Sequence, residues 1–231
     1  MKPVVISGYG KMGHMIEKEL IAAGAEYQAT EDVQSIAPEV AAKSVCIDFT
    51  TPAAFRANYE FLAKNFSAVV VGTTGWDDIR DDVFAAFRAS GHTLVYASNF
   101  SIGVNIFFAV SRAAASLLGN AGGYSPYIVE KHHCHKLDAP SGTAKTLGAI
   151  VDAAMGGERQ ATDIQSVRCG EIPGIHTLCF EGLNDRITIE HEAFSRQGFA
   201  AGAVLAARLC EDKQGVYEFS DLINNTLKEK Q

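Results

Sequence analysis

The feature that most constrains the fold is a glycine-rich turn close to the start of the chain. A short apolar run from Pro3 leads into Gly8, Gly10 and Gly13, and an amphipathic helical pattern continues to about Ala23. In such a turn the first glycine permits the tight backbone, the second admits a pyrophosphate, and the third lets the helix pack on the strand. The order predicts a dinucleotide-binding turn, although similar turns also occur without a ligand.

An acidic pair stands where a dinucleotide-binding domain needs a ribose ligand. A second strand is predicted near residues 26–30, and Glu31 and Asp32 follow it, at about the 20-residue distance from the glycines that this fold requires. We expect Glu31 to bind the ribose 2′-hydroxyl. Because no arginine or lysine follows directly, a 2′-phosphate would meet carboxylates without a counter-charge, so the sequence favours NADH over NADPH. The alternative is that Glu31 is a solvated loop acid.

Strands and helices keep alternating after this turn. Apolar runs at residues 44–50, 68–75 and 93–100 are separated by helical patterns, which predicts a parallel sheet covered on both faces. Ligands of such sheets bind at the carboxyl ends of the strands. The candidate cofactor residues there are Gly72, Thr73 and Thr74 on one strand end and Ala97, Ser98, Asn99 and Phe100 on another, beside Asp48, Phe49, Thr50 and Thr51; each end could also be an ordinary turn.

The second half of the chain follows a different pattern. Residues 101–120 read as one long helix that is apolar on more than one face, which predicts burial between domains or subunits. After a polar linker at residues 156–160, the hydrophobic period changes to two, as in an open mixed sheet. The predicted fold class is α/β, with an N-terminal Rossmann-type dinucleotide-binding domain and a second α+β domain that carries this open mixed sheet. The expected boundaries are 1–103, with 198–231 packing back, for the first domain and 104–197 for the substrate-binding and oligomerisation domain.

Reactive side chains are concentrated at residues 128–146, which read I-V-E-K-H-H-C-H-K-L-D-A-P-S-G-T-A-K-T. A strand is predicted to enter this stretch and a helix to leave it. At the helix start, Ser141, Gly142 and Thr143 would present unpaired N–H groups and a positive dipole end to a carboxylate or phosphate. His132 and Lys136 are residue types that transfer protons near neutral pH. The pattern indicates acid catalysis beside an anion site.

A metal centre is the alternative use of the same histidines. Cys134 and Glu130 stand beside them, and such a set can bind zinc or iron. The side chains of adjacent histidines point to opposite faces of a strand, so they would not bind one ion together. No distant Cys-x-x-Cys or His-x-x-x-His motif supplies further metal ligands, and Lys136 would repel a cation. We therefore expect no metal.

Composition narrows the class of protein. Hydrophobic residues make up 47% of the chain, as in an ordinary globular protein. The net charge is −7 and no run of basic residues offsets it, which argues against a nucleic-acid-binding protein. The five scattered cysteines are typical of reduced thiols in the cytoplasm. The chain enters a strand directly, without a signal peptide, and its longest apolar stretch, residues 104–119, is predicted to be too short to span a bilayer. We expect a cytoplasmic protein without nucleic-acid or membrane partners.

The segment at residues 130–144 closely resembles the signature of the dihydrodipicolinate reductases, also called 4-hydroxy-tetrahydrodipicolinate reductases. Further matching blocks follow the family's order: G-Y-G-K-M-G, D-F-T, V-G-T-T-G, S-N-F-S-I-G-V-N, R-x-G-x-I-P-G-x-H and H-E-A-F-S-R-x-x-F-A-x-G-A. The chain departs from the family in being short between residues 155 and 174 and in lacking a basic neighbour beside Glu31.

The resemblance implies NAD(P)H-dependent reduction of a small dicarboxylate, 4-hydroxy-tetrahydrodipicolinate, to tetrahydrodipicolinate in the diaminopimelate route to lysine, by a homotetramer. It implies that His132 is a proton donor or acceptor and Lys136 a proton donor. The implied substrate ligands are His133, Gly142 and Thr143, supported by Ser141. The implied cofactor ligands are Gly8, Tyr9, Gly10, Lys11, Met12 and Gly13 in the turn, Glu31, and the strand-end residues 72–74 and 97–100.

Three other classes of protein share part of this pattern. An aspartate or homoserine dehydrogenase would share the glycine turn but lack the histidine signature. A redox sensor could bind NADH through the same turn but would need a DNA-binding or partner segment, and no basic recognition helix is evident. A metal-dependent hydrolase would use the histidine cluster, and its activity would not survive a strong chelator.

Overall fold

A computed structural model describes residues 1–157 and 160–228. Two residues of the predicted linker, 158 and 159, and the last three residues of the polar tail lie outside this description. The described chain divides into two compact units, one formed by Met1–Ile102 with Gln197–Gln231 and the other by Gly103–Arg196. These limits differ from the expected boundaries by one residue at each junction.

The first unit contains a six-stranded sheet in which every pair of neighbours is parallel. Its strands are β1 (Val4–Ser7), β2 (Tyr27–Thr30), β3 (Val45–Asp48), β4 (Ala68–Val71), β5 (Thr93–Tyr96) and β10 (Gly215–Glu218), in the order β10-β5-β4-β3-β1-β2. Every residue of β1, β3 and β4 is buried. Since the strand order reverses direction at β1, the switch point where ligands of such sheets bind lies between the ends of β1 and β3.

Helices cover both faces of this sheet, which explains why its inner strands β1, β3 and β4 are buried along their whole length. The helices are α1 (Lys11–Ala22), α2 (Pro38–Ala41), α3 (Pro52–Asn65), α4 (Arg80–Ser90), α7 (Gln197–Leu209) and α8 (Phe219–Lys228). Val4 and Ile6 belong to the core shared with α1, α7 and α8, whereas Val5 belongs to the core shared with α3 and α4. Each such buried side chain contributes about 1.5–3 kcal/mol. The predicted parallel sheet is confirmed.

The second unit contains a four-stranded mixed sheet with helices on one face. Its elements are α5 (Ile102–Ala121), β6 (Ser125–His132), α6 (Gly142–Met155), β7 (Asp163–Arg168), β8 (Ile175–Glu181) and β9 (Arg186–Glu192). The strand order is β7-β6-β8-β9, with β6 and β7 parallel and the other pairs antiparallel. Ile128, Leu147 and Phe180 lie in the core, while Val167 and Ile187 on the outer strands are 39% and 41% exposed. The predicted open mixed sheet is confirmed.

The long helix α5 corrects one prediction from the sequence. It has 20 residues, and its length and apolar composition alone would allow it to cross a membrane, so the expectation that the stretch is too short is wrong. That expectation considered only the apolar run at residues 104–119, whereas the helix, predicted at residues 101–120 and observed at Ile102–Ala121, extends past this run at both ends. A helix that packs on a sheet passes the same test, and Val104, Phe107 and Leu118 of α5 are indeed buried.

Candidate active site

The glycine turn after β1 has a different steric demand at each glycine. Gly8 has a φ of +87°, and a Cβ there would lie 2.7 Å from the carbonyl oxygen of Phe49. A Cβ on Gly13 would lie 2.4 Å from the Gly8 oxygen. Gly10, which caps α1, has nothing within 4 Å of its Cβ position. The turn is therefore tight at its first and third glycines and open above the second, which fits a pyrophosphate approaching the start of α1.

Glu31 lies beside this turn although it follows a different strand. Its carboxylate accepts a hydrogen bond from the Tyr9 backbone N–H at 3.1 Å, and its side chain is exposed. Asp32 has another role, because its carboxylate caps the short helical turn Val33–Ser35 by accepting from Gln34 N–H at 3.0 Å. Of the two acids, Glu31 is therefore the one placed to reach a nucleotide bound at the turn. Lys11 and Met12, also predicted, form the first turn of α1.

The ends of β1, β3 and β4 are joined by a buried carboxylate, Asp48, which the sequence analysis placed at a strand end without assigning it a role. Asp48 accepts hydrogen bonds from the hydroxyls of Ser7 at 2.9 Å, Thr50 at 3.0 Å and Thr73 at 2.6 Å. Burial raises the pKa of Asp48, and these hydrogen bonds oppose the rise. Thr73 is thus occupied by this network, whereas its predicted neighbour Thr74 is exposed.

The remaining predicted cofactor residues differ in what they can offer a ligand. A Cβ on Gly72 would lie 2.1 Å from the Phe49 ring, so this glycine serves close packing. Ser98 is exposed, and Asn99 accepts from Ser101 N–H at 2.9 Å in the loop before α5. The ring of Phe100 is buried in the core of the first unit, so only its backbone could contact a ligand. Ala97 lies half-buried in the same loop.

A network of buried charges lies at the end of β6 in the second unit. Glu130 and His132 are two residues apart on this strand, so their side chains share a face, and they are only 0% and 7% exposed. The Nδ1 atom of His132 forms a short hydrogen bond with the Glu130 carboxylate. The other carboxylate oxygen of Glu130 accepts from Arg168 at 2.7 Å and from Ser141 N–H at 3.3 Å.

This environment separates the pKa values of the two groups. Burial alone would raise the pKa of Glu130, but hydrogen bonds from Arg168 and His132 outweigh it and lower the pKa to about 2. Burial lowers the pKa of His132, against the raising effect of Glu130, and the positive charges of Lys136 and Arg168 lower it further. At neutral pH Glu130 is therefore ionised and His132 is neutral.

The other predicted residues of this stretch are less buried. Lys136 is 23% exposed and pairs with the Asp138 carboxylate at 2.7 Å. The Nδ1 atom of His133 is buried and has no hydrogen-bond partner within the described residues, so it is available to a ligand. His135 is exposed and lies 3.6 Å from Glu171.

The start of α6 presents backbone donors, as predicted, but its serine hydroxyl is already engaged. Ser141 is 2% exposed, and its Oγ accepts from Ala144 N–H at 3.2 Å and contacts Nε2 of His176 at 3.1 Å. Gly142 is exposed and has open space at its Cβ position, and Thr143 is half-buried. An anion at this helix start would therefore meet the Gly142 and Thr143 backbone before the Ser141 hydroxyl.

His176, which the sequence analysis did not assign, also joins the buried cluster. Its ring lies 5.2 Å from that of His132, and ligand-type atoms of Glu130, His132 and His176 lie within 4.8 Å of one another. His176 is the last residue of the block R-x-G-x-I-P-G-x-H, and the pairing of β8 with β6 brings it to this cluster. Arg168 binds the same carboxylate as His132 and would repel a divalent cation, so the absence of a metal stays our prediction.

Comparison with known families settles the family of the chain. The model described as "Dihydrodipicolinate reductase, N-terminus" matches residues 2–100, and the corresponding C-terminus model matches residues 103–223. The chain belongs to the dihydrodipicolinate reductase family. It is 35% identical to a 4-hydroxy-tetrahydrodipicolinate reductase of Christiangramia forsetii, over 97% of this chain and 99% of the relative. The reductase of Cupriavidus necator is 38% identical over 84% of this chain and 78% of the relative.

Solved structures support the fold. A dipicolinate-bound dihydrodipicolinate reductase from Paenisporosarcina superposes with a TM-score of 0.77 at 21% identity, covering 94% of this chain and 97% of that one. An aspartate dehydrogenase from Thermotoga maritima gives a TM-score of 0.52 at 15% identity, covering 92% and 98%. The predicted α/β fold class and family are confirmed, and membership in the dihydrodipicolinate reductase family makes the chain an oxidoreductase that uses a pyridine nucleotide.

Proposed function

We propose that this chain reduces 4-hydroxy-tetrahydrodipicolinate to tetrahydrodipicolinate with NADH or NADPH in the diaminopimelate route to lysine. One substrate, one reduced cofactor and one proton give the product, the oxidised cofactor and water. The observation that carries the proposal is the stretch from His132 to Thr143, in which two proton-transferring residues precede a helix start that exposes backbone donors. That combination suits a dicarboxylate that must also exchange protons.

The second unit would bind and protonate the substrate. Backbone N–H groups of Gly142 and Thr143 would hold carboxylates together with Nδ1 of His133, which has no partner among the described residues, and Ser141 would fix the helix start. The nicotinamide supplies the hydride when bound. Lys136 would donate a proton to the leaving hydroxyl and neutralise charge on the ring, and His132 would accept or return a proton.

The first unit would bind the cofactor through the turn at residues 8–13, Glu31 and the strand ends at 72–74 and 97–100. NADH is the favoured cofactor in this proposal. Glu31 is exposed beside the turn, where its carboxylate can accept from a ribose hydroxyl and repel a 2′-phosphate.

The cellular setting belongs to the same proposal. The described cysteines are all free, which suits the cytoplasm. The outer strands β7 and β9 leave Val167 and Ile187 exposed, which suits pairing of second units in a homotetramer. Light scattering on the purified chain should give four times the chain mass, and a monomer would contradict the assembly. Neither nucleic acid nor a membrane is expected as a partner.

The proposal is tested by coupling the chain to a dihydrodipicolinate synthase reaction and following the loss of nicotinamide absorbance. NADH and NADPH are tested separately, with the synthase omitted as a control. Oxidation should require the synthase and persist in a strong chelator, which would exclude the metal-dependent hydrolase. Synthase-independent oxidation, or none from folded protein that binds NADH, would contradict the proposed substrate.

A further inference from the structure

The buried carboxylate of Glu130 is the feature of the second unit that the proposed roles leave unused. It is completely buried, and besides its two charged partners it accepts a hydrogen bond from the Ser141 N–H at the start of α6, at 3.3 Å. One of its oxygens faces His132 Nδ1 and the other faces Arg168. A buried carboxylate is costly unless it is paired and hydrogen-bonded, so its retention here calls for a role.

We propose that Glu130 is a positioning residue that fixes the tautomer and orientation of His132, so that His132 Nε2 acts as a proton acceptor, and that Arg168 keeps Glu130 ionised. The role rests on the proposed reductase function for its catalytic meaning. Its structural part, the tautomer, can be tested without any substrate.

The register of the sheet explains why these three side chains meet. Glu130 and His132 share one face of β6, and His132 pairs with Arg168 on the parallel strand β7. The guanidinium of Arg168 then reaches the Glu130 carboxylate at 2.7 Å and the Asp138 carbonyl oxygen at 2.7 Å. Because Asp138 pairs with Lys136 at 2.7 Å, both proposed proton-transfer residues are tied to the same arginine.

The protonation state of Glu130 decides which nitrogen of His132 carries the proton. An ionised carboxylate can only accept a hydrogen bond, so the Nδ1 atom that faces it must carry hydrogen. A neutral imidazole has one N–H, and His132 is neutral at neutral pH for the reasons given above. Nε2 is therefore left with its lone pair.

The surroundings of Nε2 leave that lone pair unoccupied. Gly174 lies beside this nitrogen: a Cβ there would be 3.1 Å from Nε2, and glycine has none. Within the described residues Nε2 has no hydrogen-bond donor, since the only hydrogen bond of the His132 ring is the one to Glu130. The His176 ring lies edge-on at 5.2 Å between centroids, and no hydrogen bond joins it to His132 among the described residues.

An acceptor at this position complements the donor role of Lys136. Loss of water from the substrate breaks a C–H bond next to the carbon that bears the hydroxyl. The proton passes to Nε2, the C–H electrons form the new double bond, and the hydroxide leaves as water with a proton from Lys136. A His132 with Nε2 already protonated could not accept that proton.

Nitrogen NMR of histidine-labelled protein, without substrate or cofactor, tests the tautomer in the wild type, with His132→Asn identifying the signal. We expect hydrogen on Nδ1 and a bare Nε2. The opposite tautomer, or a doubly protonated ring at neutral pH, would overturn the proposal. The NMR result does not depend on the coupled assay, because it needs neither substrate nor cofactor. Failure of the proposed function and failure of the positioning role can therefore be distinguished.

The variant Glu130→Gln tests the catalytic consequence. Its amide can turn an N–H towards Nδ1, which would move the ring hydrogen to Nε2, so we expect the kcat to fall by about 10²- to 10⁴-fold and the NADH Kd to stay within twofold. The matched control is Glu181→Gln on β8, an exposed acid paired with Arg186, which should keep the wild-type kcat. Glu130→Gln with the wild-type tautomer and kcat would overturn the proposal.

If Glu130→Gln does not fold, the variant Glu130→Asp tests the same role. It keeps the carboxylate charge but places it one methylene further from His132. We expect Glu130→Asp to keep hydrogen on Nδ1 and to lose less kcat than Glu130→Gln. A purely structural role predicts instead that both variants lose stability while the folded fraction keeps the wild-type kcat and pH profile. That result would also overturn the proposal.

Discussion

Substituting Gly174 by alanine places a methyl group against the reactive nitrogen of His132. The new Cβ would lie 3.1 Å from Nε2, 3.4 Å from Cδ2 of the same ring and 3.8 Å from Cε1 of His176. A carbon cannot hydrogen-bond that nitrogen, and the first contact is shorter than the roughly 3.5–4.0 Å at which uncharged heavy atoms pack favourably. The imidazole must therefore move by a few tenths of an ångström or more, or its lone pair is covered.

The expected effect of Gly174→Ala is larger on turnover than on folding. Displacing a reacting group by about 1 Å can cost on the order of 10²-fold in rate, so we expect kcat in the coupled assay to fall by about 10- to 100-fold. The free energy of unfolding should fall by about 1–3 kcal/mol, from tight packing and from the φ of +158° at this residue. The NADH Kd, measured by fluorescence, should stay unchanged because the turn at residues 8–13 is untouched.

The control for backbone strain is Gly170→Ala in the turn between β7 and β8. Gly170 has a φ of +55° but nothing within 4 Å of its Cβ position, so alanine there strains the backbone without touching His132. It should lose stability and keep most of its kcat. Equal kcat for Gly174→Ala and the wild type, or equal losses in the two alanine variants, would refute this account of how His132 is accommodated.

Three further predictions follow from the charges. Lys136→Ala should lose about 10²- to 10⁴-fold in kcat but keep its NADH Kd, whereas the matched exposed lysine variant Lys145→Ala should keep both; full turnover by Lys136→Ala would contradict its donor role. Glu31→Ala should weaken NADH binding by about 1–2 kcal/mol and NADPH binding less, with Glu39→Ala as the control, and equal losses for both cofactors would count against Glu31 as the selecting residue. The fold lowers the pKa of Glu130 from 4.5 to about 2, so the ionised carboxylate should stabilise the folded state above pH 4.5, and this contribution should disappear as the pH falls from 4.5 towards 2. The free energy of unfolding, measured by urea titration, should therefore fall less over that pH range in Glu130→Gln than in the wild type.

Local spacing in the sequence was enough to predict the strands, helices and glycine turn of the first unit. The glycine turn, Glu31 and the apolar strands are each read from neighbouring residues, because the strand and helix periods place them without knowledge of distant contacts. The helix α5 was also predicted to within one residue at each end, and only its capacity to span a membrane was judged from the shorter apolar run inside it.

The charge network of the second unit could not be predicted in the same way. Arg168 and His176 are single residues on β7 and β8, and they reach Glu130 and Ser141 only because β6 pairs with both strands in one register. The block R-x-G-x-I-P-G-x-H contains both residues, but its spacing does not tell which residues of β6 they will face. Two histidines with similar sequence surroundings, His132 and His133, consequently differ in burial and partners.

The most direct test of the central claim follows the hydride itself. NADH that carries deuterium at one of the two hydrogen positions on C4 is supplied to the chain and the synthase, and the two labelled forms are used in separate reactions. The mass of the tetrahydrodipicolinate formed is then measured by mass spectrometry. The account predicts one deuterium in the product from one of the two labelled cofactors and none from the other. Oxidation of the cofactor without deuterium in the product from either label would contradict it.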